Sequence, residues 1–435
     1  MIVVQNVKGT YDFIGKEQAL RRKVQSILQE VFELYDFEGM DSTILNELEL
    51  LTSKYAGGEE IQNEMYQLTD QGKRRLGLRY DLTIPFAKVI ALNPGIEFPY
   101  KRYEMGKVFR DGPVKRGRLR EFIQCDVDIV GMAGPVAEAE LMQIAVEVFR
   151  RLDIPVTLRW NNRRFLGDIL EVMGVPSDKR LSVMLTLDKL EKIGKEGVLL
   201  ELIGKGLPAK VIQAMTELLE GGNPAFEDVS RAYGIQAKPG AQEVRSLQEI
   251  IRKLGLEPMC RFDPFLSRGL SFYTGTVYEI FDASRTFPSS LGGGGRYDAI
   301  IGQLIGREDL SYPTAGLSFG MESIMEMLKD RPVSVPVASA VIIPIGETVT
   351  ECLRIAAALR SNGIRTRLDT TKRKLKKSLA TASSDGIRYV LLLGEEEENL
   401  GKVRLKDMDK MTEMVVTLQE AISLISQEGS RSRGY

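Results

Sequence analysis

From about Asn161 to Leu256 the sequence reads as helix, while the segments before and after it read largely as strands. Inside this stretch, LSVMLTLDKLEKIGKEGVLLELIGKG and PAKVIQAMTELLEGG repeat apolar residues at helical spacing between glycine stops. Upstream, RRLGLRYDLTIPFAKVI and KRYEMGKVFRDG read as strands or strand ends around loops. RLREFIQCDVDIVG alternates apolar and polar residues, but Phe122, Cys125 and Val127 are unevenly spaced, so its inward face is open. Downstream, TVYEIF alternates cleanly, and TAGLSFGMESI is a small-residue strand running into a helix. The expectation is one sheet domain in two halves, residues 1–160 and 257–328, with a helical insertion at 161–256.

Two amphipathic helices belong to the first half. Residues 17–35 place Leu20, Val24, Ile27, Leu28, Val31 and Leu34 on one face, and PVAEAELMQIAVEVFRRL has Pro135 near its first turn. Beyond a Pro/Val/Ser-rich linker at 329–337, strands SAVIIPI, IRTRLDT and IRYVLLLG alternate with helices. That order predicts a small α/β domain at 338–427 with a largely parallel sheet. Residues 428–435, in the tail SQEGSRSRGY, are expected to be disordered.

The chain contains no histidine. Ser-His-Asp and Cys-His catalysis, histidine-ligated zinc and imidazole general bases are therefore excluded. Three cysteines, far apart in sequence, suggest neither a disulfide framework nor a metal site. A net charge of −1 makes nucleic-acid contact a matter of local patches rather than of overall charge. No apolar run is long enough to span a membrane, and the N-terminus is too polar after Val4 for a secretory signal. A cytoplasmic protein that binds neither membrane nor DNA is expected.

Several local constellations could carry chemistry. In LSRGLSFYTGTVYEIF, Arg268 and Tyr273 stand at the mouth of a strand that needs neither for packing, whereas a pocket for a small charged molecule needs both. FRDGPVKRGRLREF crowds Arg110, Lys115, Arg116, Arg118 and Arg120 around Gly112, Pro113 and Gly117. Such a loop can fold guanidinium groups over polyphosphate, or be a solvated basic hairpin. Asp81 and Thr83 in LRYDLTIPFAK could bind an amine; taken alone, a helix cap before Ile84 and Pro85 is the simpler account. Gln124, Asp126 and Asp128 share a strand face at period two, and taken alone such a face is expected to meet water. The four glycines in SSLGGGGRYDAIIG allow close backbone approach to a ligand, but a plain turn is the local expectation.

Read in order, DQGKRRLGLRYDLTIPFA, GRLREFIQCDVDIVG, RGLSFYTGTVYE, GGGGRYD and GLSFGMESI resemble the histidine–tRNA ligases, of the class II aminoacyl-tRNA synthetases, over nearly the whole chain. LRYDLT and QCDVDIVG look closer to the eukaryote-like branch, or a second-copy bacterial type, than to the common bacterial one. The resemblance implies an α+β class II catalytic domain, with an antiparallel sheet flanked by helices, a helical insertion and a C-terminal α/β anticodon-binding domain. It implies a homodimer that uses ATP with Mg2+ to join L-histidine to histidine tRNA through an adenylate. Arg110 and Arg268 would be catalytic, gripping the α-phosphate from two sides. Asp81, Thr83, Gln124, Asp128, Phe272, Tyr273 and Tyr297 would bind histidine; Arg118, Arg120 and Glu121 would join Arg110 and Arg268 on ATP. Asp128 and Tyr273 would read the imidazole, which offers one donor and one acceptor when neutral.

The chain departs from that pattern at three places. Ser323 stands where the family's third motif usually ends in an arginine. Ser271 and Phe272 replace a common Asp-Tyr pair, and Thr43 replaces a proline of the first motif. These departures keep an alternative open: a histidine-binding, non-charging paralogue with a regulatory role. The basic segment RSNGIRTRLDTTKRKLKKSLA suits RNA phosphates, or is a solvated helix face.

Overall fold

The computed structural model describes residues 4–53, 62–270, 272–307, 309–331, 338–371 and 373–429. They fall into two compact units, residues 1–332 and 333–435. Most of the expected linker and the end of the tail, as well as Ser271, lie outside the described residues. The last helix, Leu418–Gly429, runs two residues past the boundary expected for the second domain.

The first unit is built on an eight-stranded sheet: β1 (Glu38–Gly39), β2 (Tyr100–Phe109), β3 (Glu121–Val130), β4 (Val156–Asn162), β5 (Cys260–Phe262), β6 (Thr276–Asp282), β7 (Gly292–Arg296) and β8 (Thr314–Gly320). Their spatial order is β1-β2-β3-β8-β7-β6-β4-β5. All pairs are antiparallel except the two edge pairs, β1 with β2 and β4 with β5. β4 precedes the insertion, β6 follows it, and they pair along seven residues. The two halves of sequence therefore make one sheet.

The glycine run is not a turn. Gly292–Arg296 is the central strand β7, hydrogen-bonded on both sides. The strand β3 does not present a wet face either. Asp126 and Asp128 are buried on one side, and Cys125, Val127 and Ile129 on the other. The apolar side is covered by the helices Gly15–Leu34 and Val136–Arg151, where Phe319 lies 5.7 Å from Phe32 and 5.9 Å from Phe149 between ring centroids. A strand covered on both faces loses the apolar-in, polar-out signal, which is why its inward side could not be read. In the first helix Leu20, Val24, Leu28 and Val31 are buried as expected, but Leu34 is exposed and Phe32 takes the inward position.

TIPFAKVI, read above as strand or strand end, is the helix Thr83–Leu92. The insertion comprises the helices Arg163–Val172, Arg180–Leu187, Leu190–Gly204, Ala209–Glu220, Phe226–Ala232 and Pro239–Lys253. It begins directly at the end of β4. There the Asn162 side chain accepts from the backbone N–H groups of Arg164 and Phe165 at 2.8 and 3.2 Å, capping the first helix.

The second unit holds a five-stranded sheet in the order 366–368, 340–344, 389–393, 402–407, 412–417. The first three strands are parallel and the last two join antiparallel. The expected parallel sheet is thus extended by a hairpin. Helices Val349–Ser361 and Leu418–Gly429 pack on one face, and Leu375–Ser384 on the other. Arg373, Lys374, Lys376 and Lys377 are exposed around the start of that last helix, whereas Arg367 is paired with Asp385.

Candidate active site

One face of the first sheet is polar and buried, and register explains its composition. Arg102 and Glu104 of β2 stand opposite Asp128 and Asp126 of β3, which in turn face Gly316 and Ser318 of β8. Ser318 and Gly316 pair with Gly293 and Gly295 of β7, and these with Glu279 and Val277 of β6. Two rows of side chains run across five strands; one has glycine on both β8 and β7, and the other has Ser318 on β8 and glycine on β7.

Two glycines show why no larger residue fits. A Cβ on Gly316 would lie 1.8 Å from Asp128 Oδ1, and one on Gly293 would lie 1.8 Å from Arg268 Nη1. The carboxylate and the guanidinium therefore rest directly on backbone. This is the close approach that the glycine run allows.

Asp128 accepts a short hydrogen bond from the Tyr297 hydroxyl. Its other oxygen lies 2.7 Å from Arg102 Nη2, an ion pair that lacks hydrogen-bond geometry. Arg102 is wholly buried and stacked over Phe86 at 4.2 Å. Burial raises the pKa values of both Asp126 and Asp128, and the positive charge of Arg102 opposes the shift. Besides Asp128 Oδ2, two more acceptors on this strand, Gln124 Oε1 and Asp126 Oδ1, are buried without a hydrogen-bond partner, and among the described residues these two have no ion pair either. Gln124 donates its amide to Ser318 Oγ at 3.0 Å. Unfilled buried acceptors are costly unless something with donors completes them.

Asp81 does cap the helix Thr83–Leu92, accepting from the N–H groups of Thr83 and Ile84 at 3.0 and 3.1 Å through Oδ1. It also senses Arg110 and Arg102, and burial raises its pKa against their pull. The cap and the site are thus one arrangement: capping fixes the carboxylate while leaving its second oxygen for other use. Arg110 donates from Nε to Tyr80 O at 2.9 Å and stacks over Phe122 at 5.2 Å. Burial lowers its pKa, with Asp81 acting in the opposite direction.

On the far side of the glycines, Arg268 adopts a left-handed backbone with φ of 57°. Asp188 Oδ1 holds its N–H at 2.7 Å, and Arg163 Nη2 holds its carbonyl at 2.6 Å. Its Nη1 donates to Tyr278 O at 3.0 Å, and its guanidinium lies over the Tyr273 ring at 5.6 Å. Tyr273 packs against Phe272 at 4.7 Å, and Phe272 meets Tyr297 edge-on at 5.9 Å. Tyr273, Asp126 and Asp128 are near enough to influence one another's charge.

The structure therefore gathers Asp81, Thr83, Arg110, Gln124, Asp128, Arg268, Phe272, Tyr273 and Tyr297 around one polar face. The basic loop is less uniform. Arg118 lies near Arg110 but is paired with Glu64 at 2.7 Å. Arg120 turns to Asp111 at 3.1 Å and to Gly112 O. Glu121 falls on the opposite parity of β3 from Asp126 and is paired with Lys107. The structure does not bring Arg120 and Glu121 to the polar face. Gly117, at the loop tip, sits over Ser323: a Cβ there would be 3.5 Å from Ser323 Oγ. Arg116 reaches past it to Glu326 at 2.6 Å.

Sequence reasoning missed two residues. Arg102 was hidden because only the β2–β3 register sets it against Asp128. Arg163 begins the insertion, yet its side chain donates to the carbonyls of Ser267, Arg268 and Tyr273 and so holds the strap that carries Arg268. Neither carries a local signal. Asp126 was visible by its period with Gln124 and Asp128 but had no role assigned.

The polar face thus carries buried carboxylates, unfilled acceptors and the guanidinium groups of Arg110 and Arg268. Comparisons with known proteins agree with it. Residues 10–324 match the family model for histidyl-tRNA synthetase, and residues 339–428 match that for an anticodon binding domain. "Histidine--tRNA ligase 1" of Bacillus cereus is 46% identical over 418 residues, covering 95% of this chain and 98% of its own. "Histidine--tRNA ligase 2" of Shouchella clausii is 45% identical over the same shares of the two chains. The crystal structure of histidyl-tRNA synthetase from Nostoc sp. aligns with a TM-score of 0.82 at 27% identity, over 98% of this chain and 100% of that one. With the family match spanning most of the chain and relatives this similar over nearly its full length, the chain belongs to the histidyl-tRNA synthetase family.

Proposed function

We propose that the polar face of the first unit binds L-histidine and the α-phosphate of ATP side by side. As a family member the chain is a histidine–tRNA ligase, and a ligase of this kind uses ATP. The histidine carboxylate oxygen attacks the α-phosphorus, the bond from that phosphorus to the β-phosphate bridge breaks, and pyrophosphate leaves. A ribose hydroxyl at the tRNA 3′ end then attacks the carbonyl carbon, and AMP departs.

The single observation that carries the residue assignment is the pair of buried, unfilled acceptors Gln124 Oε1 and Asp126 Oδ1. A substrate ammonium supplies donors for such groups. Asp81, Thr83 and Gln124 take the α-amino group, and Asp128 with Tyr273 and Tyr297 takes the imidazole. Phe272 packs the aromatic wall. A site with this many polar groups to fill rejects an analogue that leaves them unpaired, by roughly 10⁴-fold or more. Arg110 and Arg268 flank the α-phosphate, and Arg118 swings from Glu64 to the polyphosphate. Nothing here calls for an imidazole base; the step rests on positioning and charge stabilisation.

Magnesium enters with ATP. Among the described residues no group of three acidic, cysteine or histidine side chains could hold a metal alone. Its ligands would therefore come mainly from phosphate oxygens and water. The exposed Arg373, Lys374, Lys376 and Lys377 contact tRNA phosphates. A homodimer is supported by the exposed apolar residues Ile14 and Leu34 at the two ends of the first helix. A cytoplasmic location accords with the thiols of Cys125, Cys260 and Cys352, all free and buried.

The test is histidine-dependent exchange of pyrophosphate into ATP by the purified protein. Robust exchange, lost in Arg110→Ala, is expected. Histidine binding without exchange would mark a non-charging paralogue instead.

A further inference from the structure

The assignment above leaves one buried carboxylate of the polar face without a group of its own. Gln124, Asp126 and Asp128 follow one another along β3 at steps of about 7 Å, so Asp126 stands between the end given to the α-amino group and the end given to the imidazole. Both oxygens of Asp128 are engaged, one by the Tyr297 hydroxyl and one by the charge of Arg102. Asp126 Oδ1 is engaged by nothing among the described residues, although Asp126 is only 4% exposed. The open acceptor beside the imidazole is therefore Asp126.

The charges around it are one cation short. The charged and titratable groups about Asp126 are Arg102 and Glu104 of β2, Asp128 of its own strand, Ser318 of β8, Asp81 before the helix Thr83–Leu92, and the Tyr273 and Tyr297 hydroxyls. Glu104 is spent on Arg79, which it meets at 2.6 Å, and on the Ser42 N–H and hydroxyl at 2.9 Å. Asp81 is given the substrate ammonium. Among the described residues that leaves Asp126 and Asp128 with the one guanidinium of Arg102, all three buried. Two carboxylates this close in a dry site do not both ionise against one cation. In the empty pocket a proton makes up the difference: burial raises the Asp126 pKa to about 7, with Arg102 opposing. In the filled pocket a second cation does so, and a protonated imidazole is one.

We propose that Asp126 is a specificity-determining residue that holds histidine as the imidazolium, with one ring N–H on Asp126 Oδ1 and the other on the Asp128 and Tyr273 pair. The proposal rests on the ligase reading above and deepens it. A neutral histidine takes the Asp126 proton onto its free ring nitrogen, whereas an imidazolium enters as that proton leaves to solvent. Either way the complex carries one proton. A neutral amide side chain brings no charge and leaves the second carboxylate uncompensated, which is how the pocket tells histidine from glutamine.

The test is calorimetric titration of the full chain with L-histidine in buffers of differing ionisation enthalpy, which counts protons, on wild type and Asp126→Asn. At pH 8 neither the free ring, which titrates at about 6.5, nor Asp126 holds most of its proton, so wild type should take up about one more proton than the variant, which binds the neutral ring. At pH 5.5 the two proteins should release equal numbers. At pH 7 the variant should bind histidine about tenfold more weakly, and its preference for histidine over glutamine should narrow by about as much. In wild type, bound histidine labelled at both ring nitrogens should give two nearly equal nitrogen shifts, the signature of an imidazolium. A widely split pair, the signature of a neutral ring, overturns the proposal and leaves the ligase reading intact. Equal proton counts for the two proteins at pH 8 overturn it in the same way. If wild type binds no histidine, the pocket assignment fails and the proposal falls with it.

Discussion

Asp128 Oδ1 occupies the space that a side chain on Gly316 would need, 1.8 Å from its would-be Cβ, and from there accepts the Tyr297 hydroxyl. Gly316→Ala should therefore displace the carboxylate and crowd the Tyr297 ring beside it. Losing one buried, charge-assisted hydrogen bond is worth about 1.5–3 kcal/mol, or roughly one to two decades in affinity. Calorimetric titration with histidine should show that loss, with ATP affinity unchanged. Wild-type histidine affinity in the variant would remove Asp128 from the pocket.

Tyr297→Phe tests the same pair from the other side. The variant keeps the ring that meets Phe272 and removes only the hydroxyl. Histidine KM in the exchange assay should rise about tenfold, the value of roughly one hydrogen bond to a charged group, with a smaller change in kcat. An effect on kcat alone would mean that Tyr297 acts on the reacting atoms rather than on binding.

Asp126 gives a pH prediction. Burial outweighs the attraction of Arg102 and raises its pKa from 3.8 to about 7. The folded state therefore holds this proton more tightly than the unfolded chain does. The stability it contributes is full below about pH 4 and is lost as pH rises toward 7. Asp128 is shifted in the same sense, so the window belongs to the pair. Asp126→Asn stays neutral at every pH. Its melting temperature, relative to wild type without ligand, should climb from pH 5 to pH 8. A constant difference across that range would show that Asp126 is ionised throughout.

Arg268→Lys keeps the charge and loses the planar fork that bridges Tyr278 O and the floor above Gly293. Exchange should fall about a hundredfold in kcat, on the scale of losing one oriented donor in a preorganised site. Histidine binding by calorimetry should change little. An equal loss in binding would place Arg268 on the ground state only.

Arg163 touches no substrate in this arrangement; it positions the strap 267–273. Arg163→Gln removes donors from three carbonyls. Hydrogen exchange in that strap should accelerate, and kcat should fall while histidine affinity holds. Unchanged protection of residues 267–273 would rule out the positioning role.

The sequence by itself determined the division into a split sheet domain and a smaller α/β domain, because the helical stretch and the strand alternation are local signals. It also determined the excluded chemistries, through the missing histidines, and the order of the motifs that carry the resemblance. What it could not supply was adjacency. Gln124 meets Ser318 across 194 positions, and Arg296 meets Glu138 across 158. Strand partners and register arise from long-range pairing that no local period encodes. The tertiary structure alone therefore decided that Arg102 opposes Asp128 and that the glycine run is a central strand. By the same pairing, Arg120 and Glu121 turn away from the polar face. Burial on both sides of β3 erased the usual alternation, so the residues most concerned with function were the ones whose facing the sequence could not reveal.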